Sequence, residues 1–252
     1  MTYSPPPITA DQFLSALEKT SAAFATSARH QGIVPVPACA PWTSGDLIVH
    51  LSQVYTTVNT VIVTRATEPV RFASEPEAPT AESSISDLVS WFDTQRATLL
   101  DTLSTTNPDL SLWTWGEPHS AAFYFRRMAH ETTVHLADLE PSLDFSLLGV
   151  SRSVFCDGID EYFDVVLPRT IQRRASALPA GSLHLHCTDG DGEWLLSVDS
   201  GVLTASHEHA KASVAWRGSA ADLLLSCWGR RRAAVEVLGE PEISRQWATI
   251  AP

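Results

Sequence analysis

The stretch HSAAFYFRRMAHETTVHLADL, residues 119–139, decides how we interpret the rest of this 252-residue chain. Glu131, His135 and Asp138 stand within it at positions i, i+4 and i+7, and an α-helix places such positions on one face. A face with an imidazole and carboxylates can hold a metal cation, but that cation needs a further ligand from another element. That ligand has to come from another part of the sequence.

The same spacing has a simpler interpretation. Glu131 and His135 are also placed for an ordinary i, i+4 pair on a helix surface, and spacing alone favours neither alternative. Asp138 either hydrogen-bonds a ligand imidazole or faces solvent. The adjacent His130 is rotated away from His135 on a helix and is the poorer partner.

Composition limits the class of protein. With a net charge of −12, the chain predicts no basic surface for a nucleic acid. No stretch approaches the roughly 18 apolar residues of a membrane span, and the N-terminal residues lack the basic and apolar parts of a signal peptide. We therefore expect a cytoplasmic protein whose partners include neither nucleic acid nor a membrane.

The four cysteines are scattered without C-x-x-C spacing. This pattern argues against a zinc knuckle and against a disulfide framework, so we expect reduced thiols. Cys39 lies shortly before Pro41 and Trp42. A reactive thiol is one interpretation there, and a small buried apolar side chain is the favoured one.

The first 139 residues predict four helices, recognised by their caps and their apolar periodicity. Because helices of this length alternate with loops, an antiparallel four-helix bundle is the economical arrangement for a domain of residues 9–145. The predicted helices run from Thr9 to Gly32, from Thr43 or Ser44 to about Arg65, from Ser84 or Ser86 onward, and over residues 119–139.

His50 is the candidate for the missing ligand. It lies beside Leu47 and Leu51 on the apolar stripe of the second helix, where a histidine is by default a core residue with a hydrogen-bond partner. In a bundle, however, inward side chains of facing helices also assemble metal sites. In the loop before the fourth helix, Trp113 and Trp115 either line a pocket or pack over the bundle end.

The pattern changes near residue 145, and residues 146–252 predict a small α+β domain. A helix over residues 151–168 is expected to end before Pro168. Four alternating segments between residues 182 and 218 predict strands, followed by a helix capped by Ser219, a fifth strand and a short helix toward Trp247. His184 and His186 share a strand face with zinc-chelating spacing, but with no third ligand evident a polar sheet face is favoured.

Three sequence motifs, in the order in which they occur along the chain, resemble those of a known family. The first is PWT at residues 41–43 with DL at 46–47 and VHL at 49–51, the second is AAFYFRRMAHETTVHLADLE, and the third is VAWRGSAADLLLSCWGRR. They resemble the signatures of the mycothiol-dependent maleylpyruvate isomerase family. That family has an N-terminal DinB-like bundle and a small sterol-carrier-like α+β domain, so the resemblance covers about residues 10 to 248 and implies the same α and α+β architecture.

The resemblance also implies a site. It assigns a divalent metal, usually zinc, to His50, Glu131 and His135. In the family an arginine of the C-terminal domain reaches the interdomain cleft, and its counterpart in WGRR is Arg230, with Arg231 as the alternative. Trp42, Trp115 and Arg126 are further candidates for the wall of a cofactor pocket.

We therefore expect a metal-dependent enzyme that uses mycothiol or another low-molecular-weight thiol. The metal would hold the thiolate beside a small electrophilic substrate, whose carboxylate Arg230 would orient. Isomerase and S-transferase chemistry both remain open. Two alternatives are a thiol-independent metal hydrolase of an amide or ester and a non-catalytic metal-binding protein.

Overall fold

A computed structural model of the chain describes residues 7–71, 78–174, 178–230 and 234–251. The chain divides into two compact units, of which the first is Thr9–Val150 and the second includes all residues from Ser151 onward. The first unit is helical, and the second contains a sheet with flanking helices.

Four long helices make up the first unit. Thr9 and Thr43 each form a capping box at the start of a helix, and the Ser84 side chain accepts a hydrogen bond from the third helix. These residues satisfy backbone N–H groups that have no partner within the helix, which is why the helices begin where the sequence predicts. The prediction of four helices is confirmed, with α1 at Ala10–Gln31, α2 at Ser44–Thr64, α3 at Ile85–Thr105 and α4 at Ala121–Leu139.

The core of the first unit lies among all four helices. α1 packs on α3 and α4, and α2 packs on the same two helices. Phe24 of α1 and Tyr55 of α2 both stack against Phe92 of α3, with ring centroids 5.0 and 5.5 Å apart. Most side chains of α4 are buried, so this helix carries its polar residues into the interior.

By length and composition α2 alone among the described helices could cross a membrane, which the sequence prediction does not anticipate. Most of its leucine, isoleucine and valine side chains lie against the other helices of the bundle, and Leu47, Leu51 and Val61 are completely buried. A long apolar helix is typical of a bundle core, so packing inside the protein explains the apolar composition of α2.

The second unit begins with a helical segment that contradicts the sequence prediction. The helix was expected to end before Pro168, but α5 at Arg152–Glu161 continues through a π-helical turn at Tyr162–Val166 into α6 at Leu167–Arg174. The Leu167 N–H bonds to the carbonyl of Tyr162, five residues back. This wide turn places Pro168 at the second position of α6, where a missing N–H costs little.

A five-stranded sheet follows, and its strands are β1 at Leu183–Cys187, β2 at Glu193–Asp199, β3 at Val202–Ser206, β4 at Val214–Gly218 and β5 at Glu236–Gly239. Their order in the sheet is β3-β2-β1-β4-β5, with β1 and β4 parallel and the other neighbours antiparallel. The indole N–H of Trp194 donates to Asp160 of α5, and that of Trp216 donates to Ser244 of the last helix. One sheet face therefore packs against helices. The two helices that follow β4 and β5 are α7 at Ala220–Cys227 and α8 at Pro241–Thr249.

Candidate metal centre

The three residues predicted as metal ligands come together between α2 and α4. His50 Nε2 lies 3.0 Å from Glu131 Oε1, and His135 Nε2 lies 3.3 Å from the same oxygen. The two imidazole rings are 5.0 Å apart and nearly perpendicular. Two nitrogen donors and one oxygen donor thus converge on a common point, although His50 is 81 residues from Glu131 in sequence.

This geometry fits a divalent metal ion. Donor atoms around a tetrahedral zinc with bonds of about 2.1 Å lie about 3.4 Å apart. The distances of 3.0 and 3.3 Å to Glu131 Oε1 need little adjustment to reach that value. The His50 side chain keeps 28% exposure, so a metal held here would be reachable from solvent on its side.

Arg127 takes part in this centre, although the sequence analysis did not select it. Its Nη2 donates to Glu131 Oε2 at 2.6 Å, and its side chain is only 4% exposed. The i, i+4 spacing was a visible signal, but the predicted site includes the adjacent Arg126 instead. Arg126 is half-buried on α4, about 100° around the helix from Arg127, and its role stays a prediction.

Asp138 orients the second histidine. Its buried carboxylate accepts a hydrogen bond from His135 Nδ1 at 2.9 Å, which leaves Nε2 directed at Glu131. A carboxylate in this position fixes the ring and its tautomer. Of the two alternatives for Asp138, the hydrogen bond to the imidazole is therefore the one observed.

Cys39 reaches the same carboxylate. It closes a short 3₁₀ turn, Pro37–Cys39, and its thiol donates to Asp138 Oδ2 at 3.2 Å. The favoured prediction of a buried apolar side chain is wrong, because Cys39 is half-exposed and its sulfur has a charged partner. The structure places this thiol next to the partner of His135.

The charges of the centre favour ionised side chains in the absence of a metal. Burial opposes ionisation of Glu131, but Arg127 and hydrogen bonds with His135 and His50 outweigh it and hold the pKa well below 4.5. Burial likewise opposes protonation of His135, but Asp138, Cys39 and Glu131 raise its pKa well above 6.5. Without a metal, a proton on His135 therefore lies between two carboxylates.

The remaining candidates of the helical unit occupy different places. The Trp42 ring lies 5.2 Å from that of His50, so it flanks the centre. His130 is buried edge-on against Phe13, away from the ligands, as its helical position predicts. Trp115 packs edge-on against Phe123 near the start of α4, and its place in a cofactor pocket stays a prediction.

Arg230 belongs to the second unit and follows α7. Its Nη1 donates to the Trp228 carbonyl at 2.6 Å, and its guanidinium lies 6.0 Å from the centre of the Trp228 ring. Arg231, the alternative, lies outside the described residues. A catalytic role for Arg230 stays a prediction.

The class of protein is thus a chain of two units, in which a helical bundle with two histidines and a glutamate on facing helices is followed by a small mixed α+β unit. The chain belongs to the mycothiol maleylpyruvate isomerase family, because the sequence profile described as "Mycothiol maleylpyruvate isomerase N-terminal domain" matches residues 14–140, half of the chain. The family resemblance seen in the sequence is confirmed.

Solved structures show the same architecture over nearly the whole chain. A crystal structure of mycothiol-dependent maleylpyruvate isomerase has a TM-score of 0.63 and 15% identity, and the match covers 93% of this chain and 96% of that one. A mutant of mycothiol-dependent maleylpyruvate isomerase has a TM-score of 0.64 with the same identity and coverage. No curated protein sequence matches the chain. At this identity the solved structures establish a shared fold.

Proposed function

We propose that this protein is a metal-dependent enzyme that uses mycothiol to isomerise a small electrophilic carboxylate. The observation that carries the proposal is the convergence of His50 Nε2 and His135 Nε2 on Glu131 Oε1. Membership of the family supports mycothiol as the thiol. The solved structures of similar fold are of mycothiol-dependent maleylpyruvate isomerase, which favours isomerase over S-transferase chemistry.

His50, Glu131 and His135 would hold the divalent metal, for which zinc suits the nitrogen and oxygen donors best. When bound, the metal would supply the positive charge that keeps a thiol ionised at neutral pH, and reversible addition of such a thiolate to a conjugated double bond permits rotation about it. With three protein ligands, the metal would still be able to accept a thiol sulfur as a further ligand.

The surrounding residues would keep this arrangement fixed. Arg127 occupies Glu131 Oε2 and leaves Oε1 for the metal side of the carboxylate. Asp138 holds His135 through Nδ1, so Nε2 is the available donor. Ligands that are already oriented lose little conformational entropy on binding, which favours a defined site over a loose one.

The substrate side of the proposal rests on residues predicted from the family. Arg230 is proposed to bind the substrate carboxylate, because a guanidinium can donate two parallel hydrogen bonds to it. Trp42, Trp115 and Arg126 are proposed for the wall of the thiol pocket, and Trp42 has the best support because it lies beside His50. We expect the enzyme to act in the cytoplasm, where low-molecular-weight thiols remain reduced.

The experiment that tests this function compares turnover of maleylpyruvate with and without mycothiol, using the wild-type chain and His135→Ala. We expect thiol-dependent turnover by the wild type, and loss of both activity and one equivalent of metal in the variant. Thiol-independent hydrolysis of an ester or amide contradicts the proposal in favour of a hydrolase. Metal-loaded protein that turns over neither class of substrate contradicts it in favour of a binding protein.

A further inference from the structure

A second group of metal-ligating side chains lies in the α+β unit, on the sheet face opposite to Trp194. His184 and His186 alternate along β1, and Glu193 of β2 stands directly opposite His186 in the antiparallel register. Alternate residues and directly opposed residues share a sheet face. His209, from the segment between β3 and β4, completes the group. The sequence alone shows no third ligand for the two β1 histidines, whereas the structure brings two further side chains to them.

The Glu193 carboxylate is at the centre of this group. Its Oε1 lies 2.6 Å from His186 Nδ1 and 3.2 Å from His209 Nδ1. Its Oε2 lies 2.6 Å from His184 Nε2. The three imidazole rings are 5.1 to 6.2 Å apart, so all of them surround one carboxylate.

The contact between His184 and Glu193 has unusual geometry. Among the described residues neither His184 Nε2 nor Glu193 Oε2 has an aligned hydrogen-bond partner, although both atoms are buried and only 2.6 Å apart. A shared proton requires the N–H to point at the oxygen. Buried polar atoms without such a partner need another explanation, and a cation between them provides one.

We propose that His184, Glu193 and His209 bind a divalent transition-metal ion, for which zinc is the best match, and that His186 holds the Glu193 carboxylate in position. Imidazole and carboxylate donors suit zinc and its neighbours in the first transition row. The three donor atoms already lie within 4.8 Å of one another.

The donor distances require only small movements. For a tetrahedral zinc with donors about 3.4 Å apart, the His184–Glu193 contact of 2.6 Å opens by about 0.8 Å. The His209–Glu193 distance of 3.2 Å is already close to that value. Because His209 is 72% exposed and lies outside the strands, the ion would fasten the β3–β4 segment to the sheet. This site is independent of the bundle centre and of the proposed function.

The test removes the bundle centre and asks whether a metal still binds. The full-length chain with His50→Ala and His135→Ala is titrated with Co²⁺ and followed by visible absorption and calorimetry. We expect one equivalent to bind. His209→Ala and Glu193→Gln should each weaken that binding by more than about tenfold, since even residues that only orient ligands change metal affinity by about 10- to 100-fold.

His207→Ala is the matched control. His207 lies two residues from His209, but its Nε2 contacts Asp160 at 2.7 Å rather than Glu193, so Co²⁺ binding should be unchanged. If the double variant does not fold, the wild-type chain replaces it, and His209→Ala should bind one equivalent less than the wild type. Absence of a metal equivalent outside the bundle centre, or equal binding after His209→Ala and Glu193→Gln, overturns the proposal.

Discussion

Arg127 Nη2 donates to Glu131 Oε2 at 2.6 Å from one helical turn away, while Glu131 Oε1 faces both histidines. The guanidinium therefore contacts one oxygen of the carboxylate, and the two imidazoles contact the other. Arg127 is more deeply buried than the glutamate it holds, with 4% against 17% side-chain exposure. The stability, metal affinity and protonation of the centre depend on these contacts and on the hydrogen bond of Asp138.

Replacing Arg127 with glutamine should destabilise the metal-free protein by about 3 kcal/mol, because removal of one partner leaves a buried charge uncompensated. Urea unfolding in the presence of a chelator measures the change. The control is Arg29→Gln, which breaks the exposed Arg29–Asp93 pair on the outside of the bundle and should cost less than about 1 kcal/mol. Equal losses in the two variants would contradict the role of Arg127.

Replacing Asp138 with asparagine should weaken metal binding by about 10- to 100-fold while the ligands themselves stay in place. The amide cannot accept from His135 Nδ1 with the strength of a carboxylate, so the ring orientation and tautomer are no longer fixed. Competition with a chromogenic chelator gives the dissociation constant. Asp101→Asn, at an exposed position of α3, should leave the constant unchanged, and an unchanged constant in Asp138→Asn would argue that Asp138 only fills space.

Acid should destabilise the metal-free protein through Glu131. Its pKa in the folded state is lowered despite burial, by Arg127 and the two histidines, so its contribution to stability is present above about pH 4.5 and is lost as pH falls through the folded-state pKa. Glu131→Gln lacks this contribution. The free energies of unfolding of wild type and variant, measured with chelator present, should therefore converge toward low pH, and a constant difference down to pH 3 would refute the prediction.

Metal binding should release protons at neutral pH. The His135 pKa is raised well above 6.5 in the metal-free protein, so the ring is protonated and stabilising at pH 7 and loses that stabilisation as pH rises through its folded-state pKa. A metal ligand must be deprotonated. Calorimetric zinc titrations in buffers of different ionisation enthalpy should give about one proton per ion at the bundle centre. The same titration with His50→Ala and His135→Ala should lack that proton, and equal release in both proteins would assign it elsewhere.

Local signals explain which features were predictable from sequence. The helix starts at Thr9, Thr43 and Ser84 each depend on a side chain and an N–H three residues away, so they can be recognised from one sequence. The spacing of Glu131 and His135 is equally local. The prediction of His50 required a further inference, that its helix packs against the helix of Glu131 and His135. The bundle pattern and the resemblance to the family provided that inference.

The features that the sequence did not predict depend on distant residues or on irregular backbone. Cys39 and Asp138 are 99 residues apart, and their contact depends on the shape of a short turn before α2. Glu193 is the first residue of β2 and His209 lies between β3 and β4, so their contact depends on how the strands pair, which no periodicity shows. Arg127 stands at i, i+4 from Glu131, which is a local signal, but the predicted site includes the adjacent Arg126 instead.

The π-helical turn at Tyr162–Val166 allows Pro168 to follow it within a continuous helical segment. A π-helical turn is equivalent to inserting a single residue into an α-helix. Deleting one residue from this turn would restore regular α geometry, and the Pro168 ring would then meet the carbonyl four positions earlier. The extra residue is thus what allows the proline, so a homologue that lacks the extra residue should also lack the proline.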